Sequence, residues 1–371
     1  MKVCHMTSAH PPEDIRIFHK ECVSLARAGY ETYLVQRGES YEKRGVHIVG
    51  FGDVTGGRLK RMTQVARRAY KAALAVDADI YHFHDPELLP YGLKLKKRGK
   101  KVIFDSHEKY AEQIKVKDYL PRWCASLIAS GYSVYERYVL KKIDGLVFPC
   151  LKNGEHPFAG QCRHVITLDN VPLLGEMYDQ YDAQAEKWEK SVCCHGSLSY
   201  TRGITHLVRA SGTVGANLYL AGNFSSKEYE AEVFSLPESG CIHYLGRVDR
   251  EGVKDILRHC QVGVSAGLTV GQYNQYDNLS TKAYEFMAMG LPVVLAKCAY
   301  YEKILGKYSC GVCVDTENVD EFASAISRLL DNPEEARRMG ENGRRAVKEE
   351  FNWDMEEKKL LALYEEILNE M

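Results

Sequence analysis

Short runs of β-branched and other apolar residues alternate along this chain with stretches of helical spacing. That alternation restricts the fold more than any other feature, because it is the signature of parallel βαβ winding. In the first half the predicted strands are Val3–Thr7, Glu31–Gln36, Val46–Val49, Ile80–His84, Lys101–Asp105, Gly145–Pro149 and His164–Leu168. Helices are predicted between several of them, notably Ile17–Ala28, closed by Gly29 as a C′ residue, and Met62–Val76. A polar stretch, Gly175–Lys190, reads as a linker or surface helix. Strands then resume at Ser191–His195, Asn217–Ala221, Cys241–Tyr244, Val262–Ser265, Pro292–Ala296 and Gly311–Val314, and the chain ends in helix, Met355–Met371. The expectation is an α/β protein with two doubly wound, Rossmann-like domains facing across a cleft. One spans residues 1–170, a linker covers 171–190, and the second spans 191–352.

The length of 371 residues suits two such domains, and the 45% hydrophobic content is enough for real cores. The N-terminus has no apolar segment of the signal-peptide kind. The longest uncharged apolar stretch, Trp123–Tyr135, is too short to span a bilayer. Twelve cysteines are scattered without a framework, and the lone C-x-x-C at Cys310–Cys313 reads as strand thiols of a reducing cytosol. No P-loop and no G-x-G-x-x-G fingerprint is present, which argues against a P-loop NTPase or an ordinary dehydrogenase. The absence of a recognised module or aromatic–basic interleaving argues against nucleic-acid binding. The net charge of −1 hides an asymmetry. Residues 1–170 carry 28 Lys and Arg against 19 Asp and Glu, and the rest carry 21 against 31. A basic first half suits an anionic surface or acceptor, and equally a solvated charged face.

Chemically unusual residues fall at the carboxyl ends of the predicted strands, where open α/β sheets bind ligands. The most informative stretch runs from Asp277 to Pro292. Asn278 or Ser280 can cap a helix that Gly290 ends, so N–H groups near Ser280, Thr281 and Lys282 form an anion site. A lysine in a first helical turn opposes the helix dipole, and its presence makes best sense beside a bound anion. Glu285, one turn on, suits a diol such as a ribose. A second phosphate candidate is HGSLSYTRG at residues 195–203, in which Gly196 and Ser197 open the turn and Arg202 can grip phosphate oxygens. In the first half, polar clusters follow three strands: HPPEDIR at 10–16, with His10, Asp14 and Arg16; HFHDPE at 82–87, with His84, Asp85 and Glu87; and DSHE at 105–108, with His107 and Glu108. Their spacing does not match a zinc site such as H-E-x-x-H. The Asp77–Asp79 pair precedes a strand rather than following one and reads as a strand-entry turn.

These stretches, together with KAYEFMAMGLPVV at 282–294 and FDSHE at 104–108, resemble the retaining glycosyltransferases of the GT-B fold, family four. The resemblance covers nearly the whole chain. It implies a C-terminal domain that binds a nucleotide-diphosphate sugar, UDP- or GDP-linked, as co-substrate rather than cofactor. It implies a saccharide or lipid-linked saccharide acceptor on the N-terminal domain, held by the polar clusters named above. Arg202 and Lys282 would neutralise the diphosphate, Glu285 would hold the ribose, Leu245, Gly246 and Arg247 would lie against the base, and His107 would sit close to the transferring sugar. The final helix, 353–371, would cross back onto the first domain. Transfer would proceed with retention and without metal, the departing phosphate helping to take the acceptor proton. Two positions depart from the usual pattern: Asp277 stands where many members have Glu, and Ser197 where many have Arg. The expected setting is the cytoplasm, in synthesis of a surface polysaccharide or glycolipid. Peripheral contact with an anionic membrane is expected through Arg58, Lys60, Arg61, Arg67, Arg68 and Lys71 and the apolar Trp123–Tyr135. Rival readings are a nucleotide-sugar epimerase and a non-catalytic subunit that binds nucleotide sugar.

Overall fold

The computed structural model describes residues 1–53, 57, 60–115, 121–270 and 274–370, without the side chains of Arg61 and Arg122. It divides into two compact units, Met1–Asn170 with Asp354–Met371, and Val171–Trp353. Arg58, one of the expected basic cluster, lies outside the described residues, and so does the side chain of Arg61.

The first unit opens with β1 (Lys2–Met6) and a π-wound stretch, Ile15–Cys22, that runs into α1 (Val23–Arg27). There follow β2 (Glu31–Gln36), β3 (Tyr41–Lys43), β4 (Val46–Gly50), α2 (Ala66–Val76), β5 (Ile80–Phe83) and α3 (Leu89–Lys96). The series ends with β6 (Lys101–Asp105), α4 (Tyr110–Lys115), α5 (Arg122–Leu140), β7 (Gly145–Phe148) and β8 (His164–Thr167). The eight strands order as β3-β4-β2-β1-β5-β6-β7-β8. All neighbours pair in parallel except β3, which runs antiparallel to β4. The short β3 was not legible in the sequence, since Tyr-Glu-Lys on an exposed edge carries no apolar alternation. The chain winds outward from β1 in both directions, so the order reverses there and a crevice opens beyond its carboxyl end. The π winding matters locally. It spaces residues five apart onto one face, and Asp14 caps it by accepting from the Arg16 and Ile17 N–H groups at 2.9 and 3.1 Å.

The second unit contains β9 (Ser191–His195), α6 (Ile204–Thr213), β10 (Asn217–Ala221), α7 (Lys227–Phe234), β11 (Ile242–Tyr244), α8 (Arg250–His259) and β12 (Val262–Ser265). It closes with α9 (Thr281–Ala288), β13 (Val293–Ala296), α10 (Ala299–Tyr308), β14 (Gly311–Val314), α11 (Val319–Asp331) and α12 (Pro333–Glu349). Its six parallel strands order as β11-β10-β9-β12-β13-β14, the doubly wound dinucleotide-binding order. The reversal falls between β9 and β12. Every residue of β9, Ser-Val-Cys-Cys-His, is buried, as a parallel strand covered by helices on both faces requires. All twelve cysteines are free thiols, many of them packed as small apolar side chains.

Residues 171–190, expected to be a linker, instead pack into the second unit. Val171 and Met177 are buried in its core, and Trp188 stacks on Tyr219 with 4.4 Å between ring centroids. The polar composition misled because a few large apolar residues carry the contact. The last helix, α13 (Trp353–Leu368), belongs from Asp354 onward to the first unit. Leu360, Leu363, Tyr364 and Ile367 are fully buried there, and Glu356 accepts from the Asp169 N–H at 2.9 Å.

In the second unit α12 presses on the end of α9. Gly290 ends α9 at φ +72°, and a Cβ on Gly340 of α12 would stand 1.9 Å from the Gly290 carbonyl oxygen. Gly340→Ala is therefore expected to lower stability by about 1–3 kcal/mol in urea unfolding. Unchanged stability would show that α12 is not seated on α9.

Candidate functional site

In the second unit a glycine follows each of three adjacent strands at its carboxyl end. Gly196, Gly222 and Gly246 all adopt positive φ, at 100°, 139° and 64°. The Gly196 N–H donates to Ala221 O at 2.8 Å and the Gly222 N–H to Gly246 O at 2.7 Å. A Cβ on Gly222 would stand 1.8 Å from Gly196 O, so only glycine lets the strand ends approach this closely. Beyond them lies a cavity of about 440 Å³ whose wall includes His195, Gly196, Ser197, Asn223, Phe224 and Arg247. Of the expected donor-binding residues, Gly196, Ser197 and Arg247 line this cavity, Gly246 braces its wall, and Leu245 is exposed. Gly222, Asn223 and Phe224 were not anticipated. Their signal was a lone glycine directly after the β10 run.

Arg202 ends the short turn Tyr200–Arg202, and Arg202 and Asp277 both have interaction partners within the chain. The turn is tied to the end of β12, because Leu268 N–H donates to Thr201 O at 2.9 Å. Gly203, at φ +74°, packs so closely on Ala266 that a Cβ would stand 2.1 Å from its carbonyl oxygen. Between the two cap candidates the structure selects Ser280. Its Oγ accepts from the Ala283 N–H at 3.3 Å and lies 2.6 Å from Ser265 Oγ at the end of β12. Asn278 precedes this cap. The N–H groups of Thr281 and Lys282 begin the helix and have no intrahelical acceptor. Lys282 Nζ lies 3.6 Å from Cys194 Sγ, and among the described residues no carboxylate pairs with it.

Glu285 is more enclosed than the sequence suggested, at 4% exposure. Arg250 Nη2 donates to its Oε1 at 2.7 Å, and His195 Nε2 lies 3.2 Å from its Oε2. Arg250 also pairs with Glu176. Burial alone would raise the Glu285 carboxyl, but His195 and the Arg250 guanidinium together hold it at about 2. Arg250 was missed by sequence reasoning. The available signal was the one used for Lys282: a cation in a first helical turn, here directly after the Asp249 cap.

The first unit gathers the polar clusters that follow β1, β5 and β6 into one buried network. Arg16 grips Asp105 through Nε at 2.8 Å and Nη2 at 3.1 Å, and donates from Nη1 to Leu168 O at 2.9 Å. Five residues along the π winding, Glu21 Oε1 lies 3.1 Å from the same Arg16 Nε. Two carboxyl groups so close cannot both ionise. Burial and the Asp105 charge push Glu21 well up, so it keeps its proton. Asp105, itself opposed by burial, is held well below the ordinary carboxylate range by Arg16 and the neighbouring histidines. Asp85 organises the turn after β1, accepting at Oδ2 from Thr7 Oγ1 at 2.8 Å and Ser8 N at 2.6 Å. Glu87 accepts from Ser8 Oγ at 3.1 Å. Arg16, His84 and Asp85, expected to face an acceptor, are therefore fully engaged inside the unit. Burying an arginine or an aspartate demands such pairing. His10, Asp14, His107 and Glu108 remain partly exposed. His10 lies 3.5 Å from Asp14, and its ring centroid is 4.5 Å from that of His107. Burial lowers His10, but Asp14 and Asp85 outweigh it and the net shift is upward. Glu21, His82, His84 and Asp105 each offer a ligand atom within 4.8 Å of one another, a geometry that suits a metal ion. The Arg16 guanidinium already fills the cationic role there, bound to Asp105 and beside Glu21.

Residues 180–346 match the family Glycosyl transferases group 1. The chain is 27% identical over 173 residues to MMP alpha-(1->4)-mannosyltransferase of Mycolicibacterium hassiacum, which covers 45% of this chain and 40% of that protein. It is 31% identical over 133 residues to spore coat protein SA of Bacillus subtilis, covering 33% of this chain and 34% of that one. It thus spans less than half the length of these curated relatives. Among solved structures, sucrose-phosphate synthase from Thermosynechococcus elongatus superposes with a TM-score of 0.77 at 16% identity, covering 100% of both chains. HepE of Anabaena, solved with UDP and glucose, gives 0.70 at 12% identity, covering 99% of this chain and 100% of that one. These neighbours share the GT-B fold.

The Glu285 pair carries a pH signature. Its folded-state value lies below the ordinary 4.5, so its contribution is complete above about pH 4.5 and lost as pH falls through about 2. That contribution is on the order of 3 kcal/mol. The stability gap between the wild type and Glu285→Gln, measured by urea unfolding, should narrow steadily over that window. A gap independent of pH would mean that the carboxylate is not held by Arg250 and His195.

Proposed function

Starting from a chain with the GT-B fold and a group 1 glycosyl transferase region at residues 180–346, we propose that it is a retaining glycosyltransferase. It moves a sugar from a UDP- or GDP-linked donor to a saccharide or lipid-linked acceptor, in synthesis of a surface polysaccharide or glycolipid. The observation that carries this reading is the entry to α9. There a lysine without a carboxylate partner among the described residues sits in the first turn of a helix that begins at the sheet's switch point. That arrangement favours an anion, and the diphosphate of a nucleotide sugar is the one the strand order suits. Support for the donor class comes from relatives. HepE was solved with UDP, and a Corynebacterium glutamicum relative is described as GDP-mannose-dependent.

In this reading the base lies in the cavity beside Arg247 and the ribose lies toward Glu285, whose oxygens keep spare lone pairs beyond those used by Arg250. Lys282 and Arg202 meet the diphosphate as it departs and gains charge. The leaving phosphate takes the acceptor proton, so neither a protein nucleophile nor a metal is invoked. The acceptor belongs to the first unit, with His10, His107 and Glu108 as its accessible polar groups.

A membrane-borne acceptor fits α5. This helix exposes Trp123 at 74%, Leu127 at 70% and Val134 at 72%, and the exposed Lys141 and Lys142 follow it. Among the described residues no helix is long and apolar enough to cross a membrane, so contact through α5 is peripheral.

Three measurements test the reading. In a thermal-shift panel of uridine, guanosine and adenosine diphosphate sugars, one donor at a hundred times its dissociation constant should stabilise by roughly 2.7 kcal/mol. Lys282→Ala should weaken that stabilisation and slow transfer by about 10–100-fold, as loss of a charged contact worth about 1.5–3 kcal/mol implies. No response to any donor, or full activity in Lys282→Ala, would overturn the proposal. Co-sedimentation with anionic vesicles at low salt should fall in Trp123→Glu, and failure of the wild type to co-sediment removes the membrane element alone.

A further inference from the structure

Four histidines and one tyrosine of the first unit form a continuous hydrogen-bonded line. His107 Nε2 meets His84 Nδ1 at 3.2 Å, and His84 Nε2 meets His5 Nδ1 at 3.0 Å. His5 Nε2 meets Tyr364 Oη at 3.0 Å, and the same Oη meets His82 Nδ1 at 2.9 Å. His5, His82, His84 and Tyr364 are fully buried, and only His107 reaches solvent, with its side chain 17% exposed.

A neutral imidazole has one N–H and one lone pair, so each link fixes the next. The line therefore has two registers, with every proton pointing one way or every proton pointing the other. Asp105 Oδ2, 3.3 Å from both His84 Nδ1 and His107 Nε2, requires a proton at that junction in either case. The far end decides between them. His82 Nε2 is buried and has no hydrogen-bond partner among the described residues. In one register this atom is a bare acceptor, and in the other it is an orphaned N–H, the rarer and costlier state in a protein interior. The favoured register has His82 Nδ1–H donating to Tyr364, Tyr364 O–H to His5 Nε2, His5 Nδ1–H to His84 Nε2, and His84 Nδ1–H to His107 Nε2.

We propose that Tyr364, carried on the last helix, is a positioning residue. Through His5 and His84 it makes His107 Nε2 an acceptor, which leaves the His107 ring proton on Nδ1, so that this histidine presents an N–H donor to an oxygen of a bound ligand. Burial keeps the inner members in the required state. It holds His5 and His82 well below the ordinary histidine value and His84 at about 4, so all three are neutral at pH 7, and it raises the Tyr364 hydroxyl, which keeps its proton. The identity of the ligand oxygen, on a sugar or a phosphate, rests on the glycosyltransferase reading. The proton arrangement does not.

The test is a long-range nitrogen–proton imidazole spectrum of the full chain, 15N-labelled, at pH 7, with side chains assigned through bonds to the backbone. The wild type is expected to show His5, His82 and His84 as Nδ1–H tautomers. Tyr364→Phe is expected to lose that single register at His5 and to lower the Nδ1–H population of His107. Nε2–H tautomers at His5 and His84 in the wild type would overturn the proposal, and that result needs no variant to fold. An unaltered His107 spectrum in a folded Tyr364→Phe would remove the role of the tyrosine. With a donor identified, Tyr364→Phe should lower kcat while leaving the donor KM in place. Absence of transfer in every form would count against the glycosyltransferase reading and leave the spectra to decide this one.

Discussion

The Glu285 carboxylate is out of water, and a charge in that position must be matched by another. Arg250, from the first turn of α8, supplies the match, and by reaching Glu176 as well it draws the segment before β9 onto the sheet. This pair locks α8 to α9 at the carboxyl ends of the strands. The entry of α9, with Ser280 and Lys282, is then fixed against β12 and β9 through Ser265 and Cys194. Without that anchor the helix tip would have no defined direction, and a helix tip can bind an anion only when it points at one place.

The first unit solves the same problem with different residues. Arg16 holds Asp105, and the π winding before α1 brings Glu21 to the same guanidinium. In both units one arginine from a helix start neutralises a carboxylate near the carboxyl ends of parallel strands, and in both a histidine lies within 3.3 Å of that carboxylate. The second unit keeps an open cavity beside its pair. The first has packed its carboxylates, histidines and Tyr364 solid, and offers His10, His107 and Glu108 at the surface.

Much of the fold was legible because parallel strands buried on both faces read as apolar runs. Ser191–His195 and Lys101–Asp105 fall where the sequence puts them. The exposed β3 and the packed segment 171–190 were not legible, since in each a polar composition hides what the few large side chains do. At the site, Lys282 and Glu285 stood out by type and spacing. Arg250 did not, because its partners lie 35 and 74 residues away in sequence and only the fold brings them together. The burial of Arg16, His84 and Asp85 was hidden for the same reason. A polar residue at a strand end looks alike in sequence whether it faces a ligand or a neighbour.

The measurement that bears most directly on the site is a crystal structure of the chain with uridine diphosphate and, separately, with guanosine diphosphate. One of the two is expected to place its phosphates within hydrogen-bonding distance of Lys282 Nζ and the first N–H groups of α9, with its base in the cavity beside Arg247. A diphosphate bound elsewhere, or neither nucleotide bound at saturating concentration, would contradict the anion site on which the proposed activity stands.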